Sequence, residues 1–145
     1  MAPKDIIVVD TETKSSGHIL VVDDQAQWRS ILKIHSEKAG FQVLSASTVT
    51  EAENLLQTYN FDVAILDIRL EDKDSFNIQG VGLYHLITTK YPLTKIIAFT
   101  GYPDHIPDVL AFDAVFLKSG QGFNGEQFRQ TIQNLVQQSQ VNRKL

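Results

Sequence analysis

The sequence predicts an α/β domain in which a parallel sheet is covered by helices on both faces. Three observations predict it. From His18 onward, short apolar runs alternate with stretches whose apolar residues recur at helical spacing. The most apolar run, Val63-Ala64-Ile65-Leu66, shows no polar alternation, which suits a strand buried on both faces. That run stops at a carboxylate, Asp67, at the carboxyl end of the strand, where open α/β sheets bind ligands.

The chain supports this element by element. Residues 1–17 form an extension in which Asp5-Ile6-Ile7-Val8-Val9-Asp10 is a possible extra edge strand, and 18–140 form the domain. Ile19 to Val22 is the first strand; Trp28, Ile31, Leu32 and Ala39 then give a helix, with Trp28 facing inward and Gly40 as its stop. Phe41 to Ala46 is the second strand. Thr48 and Glu51 have the spacing of a capping box, followed by an apolar face of Ala52, Leu55, Leu56 and Tyr59. After the central strand comes a polar loop from Arg69 to about Gln79. Leu83, Leu86 and Ile87 then mark a third helix that ends before Pro92. Lys95 to Phe99 is the fourth strand. Pro103 and Pro107 leave room for only a shortened fourth helix before the fifth strand, Ala114 to Leu117. Asn124 and Gln127 resemble a second capping box, and Phe128, Ile132, Leu135 and Val136 give the last helix one buried stripe. From Gln137 the chain is polar, so fraying is expected there, with residues 141–145 as a tail.

Composition narrows the function. With 145 residues, 43% hydrophobic, the chain is sized for a single soluble domain. A net charge of −4 disfavours a nucleic-acid surface, and the lack of cysteine excludes thiolate ligands and nucleophiles. No apolar run reaches the ~20 residues of a membrane span, and no secretory pattern opens the sequence, so an intracellular, cytoplasmic domain is expected. His18, His35, His85 and His105 form no ligand cluster by spacing; His35, on the apolar side of the first helix, reads as a packed or boundary residue and not as a phospho-carrier.

The residues ending the strands carry the chemistry. In order they are Asp23-Asp24, Asp67, Thr100 and Lys118. Singly, each aspartate is as easily an N-cap, Lys118 a solvated charge and Thr100 a strand-end hydroxyl. Gathered at one edge, three carboxylates repel, and a hard divalent cation such as Mg²⁺ relieves the repulsion. A carboxylate beside Mg²⁺, a lysine and a hydroxyl is equipment for accepting a phosphoryl group.

Val21-Val22-Asp23-Asp24, Ile65-Leu66-Asp67-Ile68-Arg69-Leu70, Phe99-Thr100-Gly101 and Phe116-Leu117-Lys118 together resemble the receiver domain of two-component response regulators, across about His18 to Gln140. The resemblance implies a flavodoxin-like sheet in the order 2-1-3-4-5, with Asp67 as phospho-acceptor. It implies Mg²⁺ bound directly by Asp24, through water by Asp23, by Asp67, and by the main-chain carbonyl of Arg69. Thr100 and Lys118 would contact the phosphoryl group, and Gly101 would leave the acceptor open. The implied partners are a histidine kinase or histidine phosphotransfer protein and a downstream protein target, with no direct nucleic-acid or membrane partner.

The chain departs from the family's pattern in four places. The loop after Asp67 is longer and carries Glu71, Asp72 and Asp74. The segment from Thr100 to Lys118 is shorter. Val115 stands at a usually aromatic position, and Ser119 replaces a common proline. These departures move the expected partner surface toward the long acidic loop or the N-terminal segment.

Two rival readings accompany this one. A pseudo-receiver would keep the fold as a binding module without phosphorylation; Val115 favours it, and the intact acids, Thr100 and Lys118 oppose it. Asp10 and Glu12, closing an apolar run, resemble the first motif of DEDD-type metal-dependent nucleases, but no matching later motif follows.

Overall fold

The computed structural model of the chain describes residues 17–68, 75–101, 106, 110–119 and 123–145, with backbone alone for 75–79. Five strands lie side by side, β1 (His18–Val22), β2 (Gln42–Ala46), β3 (Val63–Asp67), β4 (Lys95–Thr100) and β5 (Ala114–Leu117). They pair in parallel in the order β2-β1-β3-β4-β5, as expected. The helices are α1 (Ala26–Lys38), α2 (Val49–Thr58), α3 (Ser75–Lys90) and α4 (Gly125–Arg143).

The absence of polar alternation in β3 has the cause inferred for it, and β1 shares that cause. Leu20, Val22, Ala64 and Leu66 face a core closed by Ala52 and Leu56 of α2 and by Leu83 and Ile87 of α3. Ile19, Val21, Val63 and Ile65 face a second core with Leu32 of α1 and Phe128, Ile132 and Val136 of α4. Trp28 packs against that second core, its ring edge-on to Phe99 at 4.9 Å.

The predicted helix signals do their expected work. Gly40 takes φ 102°, which a Cβ would disfavour, and closes α1 with two bonds: its N–H to Glu37 and the Phe41 N–H to Ser36. Thr48 Oγ1 accepts the Glu51 N–H at 3.1 Å, and Asn124 Oδ1 accepts the Gln127 N–H at 3.0 Å.

Three expectations need correction. α3 begins at Ser75, well before the apolar residues that signalled it. Glycines at 80 and 82 weaken a helical pattern, yet Gly80 is there for packing: a Cβ would lie 3.1 Å from Ile68 Cδ1 and 3.4 Å from the Asp67 carbonyl. Tyr59 lies past the end of α2 and is exposed, 48%, instead of joining its buried face. The stretch from Gln137 is helical to Arg143 because polar groups hold it. Ser139 Oγ lies 3.0 Å from Asp62 Oδ1 and 2.8 Å from the Leu93 carbonyl, and Arg143 Nη2 donates to the Phe61 carbonyl at 2.6 Å.

The possible strand Asp5–Asp10, the Asp10–Glu12 motif, the acidic loop with Glu71, Asp72 and Asp74, and the shortened helix around Pro103 and Pro107 lie outside the described residues. Among the described residues, no helix is long and apolar enough to cross a membrane.

Candidate functional site

Parallel pairing fixes where the site forms. Val22 is level with Leu66, Asp67 with Phe99, and Thr100 with Leu117, so the residues ending β1, β3, β4 and β5 arrive at one edge. Asp23 follows β1 directly. Its N–H donates to the Ala46 carbonyl of β2 at 3.1 Å, and its Oδ1 accepts the Gln25 N–H at 2.8 Å. The N-cap position of α1 is Gln25, whose side chain makes no capping bond.

Asp23, Asp24 and Asp67 each bring a carboxylate oxygen to within 4.8 Å of the others. Lys118, one residue past β5, is set by its N–H donating to the Thr100 carbonyl at 2.6 Å. Its Nζ lies 2.9 Å from Asp23 Oδ2, 3.1 Å from Asp23 Oδ1 and 2.9 Å from Asp67 Oδ2. These are largely desolvated ions: the side chains of Lys118, Asp23 and Asp67 are 9%, 1% and 8% exposed. Asp24 is exposed, and beside it Val22, Ser47, Thr48, Val49 and Leu66 line a cleft that opens onto the carboxylates.

Three carboxylates against one ammonium leave the cluster net negative. At this spacing two carboxylates repel by roughly 3 kcal/mol at the effective dielectric usual near a protein surface. The donor set therefore fits a hard divalent cation with oxygen ligands, Mg²⁺ above all, while thiolate- or imidazole-seeking metals find no partner in it. When bound, such an ion supplies positive charge at the oxygens of a transferring phosphoryl group.

Of the residues picked out in the sequence, Asp23, Asp24, Asp67 and Lys118 come together. Thr100 is fully buried at the end of β4, the strand next to Asp67. Gly101 is exposed, and an added Cβ meets no described atom within 4 Å. The Arg69 carbonyl and His105 lie outside the described residues. Val115 is 45% exposed on edge strand β5. His35 is a packed residue between α1 and α4, with Nδ1 2.7 Å from Arg129 Nη1. Arg29 was missed: its Nη1 donates to the Asp23 carbonyl at 2.8 Å. Its position one helical turn past the N-cap Gln25 was the signal that it can reach back to the turn before the helix.

A family model described as the response regulator receiver domain matches residues 19–115. The chain is similar to the photosynthetic apparatus regulatory protein RegA of Rhodobacter capsulatus, with 31% identity over 91 residues, covering 63% of this chain and 47% of RegA. It is also similar to an NtrX-like response regulator of Rickettsia felis, with 30% identity over 84 residues, covering 58% of this chain and 17% of that protein. The chain thus spans less than half the length of either relative. Among solved structures it resembles the response regulator TrrA of Thermotoga maritima, determined in complex with Mg²⁺–BeF, at a TM-score of 0.67 and 29% identity, over 82% of this chain and 98% of that one.

Proposed function

The chain belongs to the response regulator receiver family of two-component signalling, and from that premise we propose that it accepts a phosphoryl group on Asp67 in a Mg²⁺-dependent reaction. The observation that carries the proposal is the meeting of the Asp23, Asp24 and Asp67 carboxylates with Lys118 lodged between two of them. Asp23, Asp24 and Asp67 hold the cation, Asp24 directly and Asp23 through water, with the Arg69 carbonyl as a further ligand. A cytoplasmic histidine kinase or histidine phosphotransfer protein supplies the phosphoryl group. TrrA, the relative with Mg²⁺ and BeF bound, supports the pairing of cation and phosphoryl-like group.

In the transfer, an Asp67 oxygen attacks phosphorus as the P–N bond to the donor imidazole breaks and a P–O bond forms. Lys118 offsets the charge on the phosphoryl oxygens, and the Thr100 hydroxyl donates to one of them. The product carries about one further negative charge than the free carboxylate and new acceptor oxygens. Reorganisation of Thr100 and Lys118 around it shifts a two-state equilibrium that a downstream protein reads.

Incubation with acetyl phosphate and Mg²⁺, followed by intact mass measurement, tests this. One phosphate adduct that forms with Mg²⁺ and fails to form when EDTA is present from the start is the expected result. A chain that binds Mg²⁺ yet never gains the adduct would instead be a pseudo-receiver.

A further inference from the structure

The wall carrying Asp23 and Asp24 consists of two turns, one leading from β1 into α1 and one from β2 into α2. Polar contacts join and brace them. Asp23 N–H donates across to the Ala46 carbonyl at 3.1 Å. Arg29 reaches back along α1 to donate from Nη1 to the Asp23 carbonyl at 2.8 Å, a bond to a charged donor and so stronger than a neutral one. On the second turn, the Glu51 carboxylate accepts the Ser47 N–H at 2.8 Å and the Ser47 hydroxyl at 3.1 Å. Those bonds, with the positive charge of Arg29 nearby, hold the Glu51 carboxyl below the usual carboxylate range. Ser47 and Thr48 in turn line the cleft with Asp23 and Asp24.

We propose that Arg29 is a positioning residue for the divalent cation, holding the Asp23–Asp24 turn through its bond to the Asp23 carbonyl and so fixing both carboxylates at ligand spacing. The inference rests on the phospho-acceptor reading only in needing a divalent cation at the three carboxylates. Two roles for an arginine here predict opposite signs. A guanidinium acting only through its charge opposes an incoming cation, so its removal would tighten Mg²⁺ binding. A guanidinium that orients the ligand turn favours the cation, so its removal weakens binding.

Calorimetric titration of the full chain with MgCl₂ decides between them. Arg29→Met should weaken Mg²⁺ about tenfold, the lower end of what losing a partner that orients a metal ligand costs. Arg29→Lys keeps the charge and one donor but not the planar fork, and should recover part of the loss. Arg29→Gln, which removes the charge and shortens the reach to the Asp23 carbonyl, should weaken binding in the same direction, and it carries the test if the Met variant does not fold. Urea midpoints for each variant separate loss of positioning from loss of fold. Unchanged or tighter Mg²⁺ binding in Arg29→Met, with wild type binding normally, would overturn the strap alone. A wild-type chain that takes up no Mg²⁺ would overturn the strap and the phospho-acceptor reading together.

Discussion

Lys118 Nζ lies 2.9 Å from Asp67 Oδ2, although a whole strand, β4, separates the strands these residues end. The same Nζ is 2.9 Å from Asp23 Oδ2 at the end of β1. One ammonium thus ties together the ends of three strands, two of which are not its neighbours. Its placement starts from the 2.6 Å bond between its N–H and the Thr100 carbonyl, from which the long lysine side chain reaches across the edge.

If Asp67 is the acceptor, Asp67→Asn abolishes the Mg²⁺-dependent phosphate adduct and leaves the circular dichroism of the folded domain intact. An adduct that persists in this variant would place the acceptor elsewhere.

Removing Lys118 leaves two nearly buried carboxylates facing each other. Lys118→Met should lower stability in EDTA by about 3 kcal/mol, the usual cost of deleting one partner of a buried ion pair. Added Mg²⁺ should restore much of it, seen as a rise in the urea midpoint. Mg²⁺ should still bind, whereas the beryllofluoride-dependent change in Trp28 fluorescence should vanish; Trp28 reports here because it packs on Phe99, the residue before Thr100. Equal loss of both responses would count against the switching role of Lys118.

His35 gives the fold a pH dependence of known sign. Partial burial, then the charges of Arg129 and Lys38, hold its pKa below 6.5 in the folded state. Between that lowered value and 6.5 the unfolded chain binds more protons, so stability rises with pH. The contribution is complete above 6.5 and is lost as pH falls through the folded pKa. The urea midpoint of the wild type should therefore fall more between pH 7.5 and pH 5.5 than that of His35→Gln. Parallel curves would remove His35 as the cause.

Asp62 anchors the other end of the sheet from the carboxylate cluster. It is 5% exposed and accepts the His18 N–H at 3.1 Å as well as the Ser139 hydroxyl. Asp62→Ala should cost about 2 kcal/mol, since buried donors lose their acceptor, with acetyl phosphate labelling at 25 °C unchanged. A large drop in labelling of the folded variant would mean that this end is coupled to the site.

The sequence by itself determined the layered fold, because apolar periodicity follows directly from which faces are buried. It determined the chemical types at the strand ends as well, since parallel strands must deliver their carboxyl ends to one edge. Local signals such as Gly40 and Thr48–Glu51 were legible for the same reason: each acts within a few residues of itself. Only the tertiary structure decided that Lys118 bridges Asp23 and Asp67, that Arg29 turns back to the Asp23 carbonyl, that Gly80 lies against Ile68, and that Asp62 holds the last helix to Arg143. These contacts depend on side-chain reach across elements or turns, which spacing along the chain does not encode.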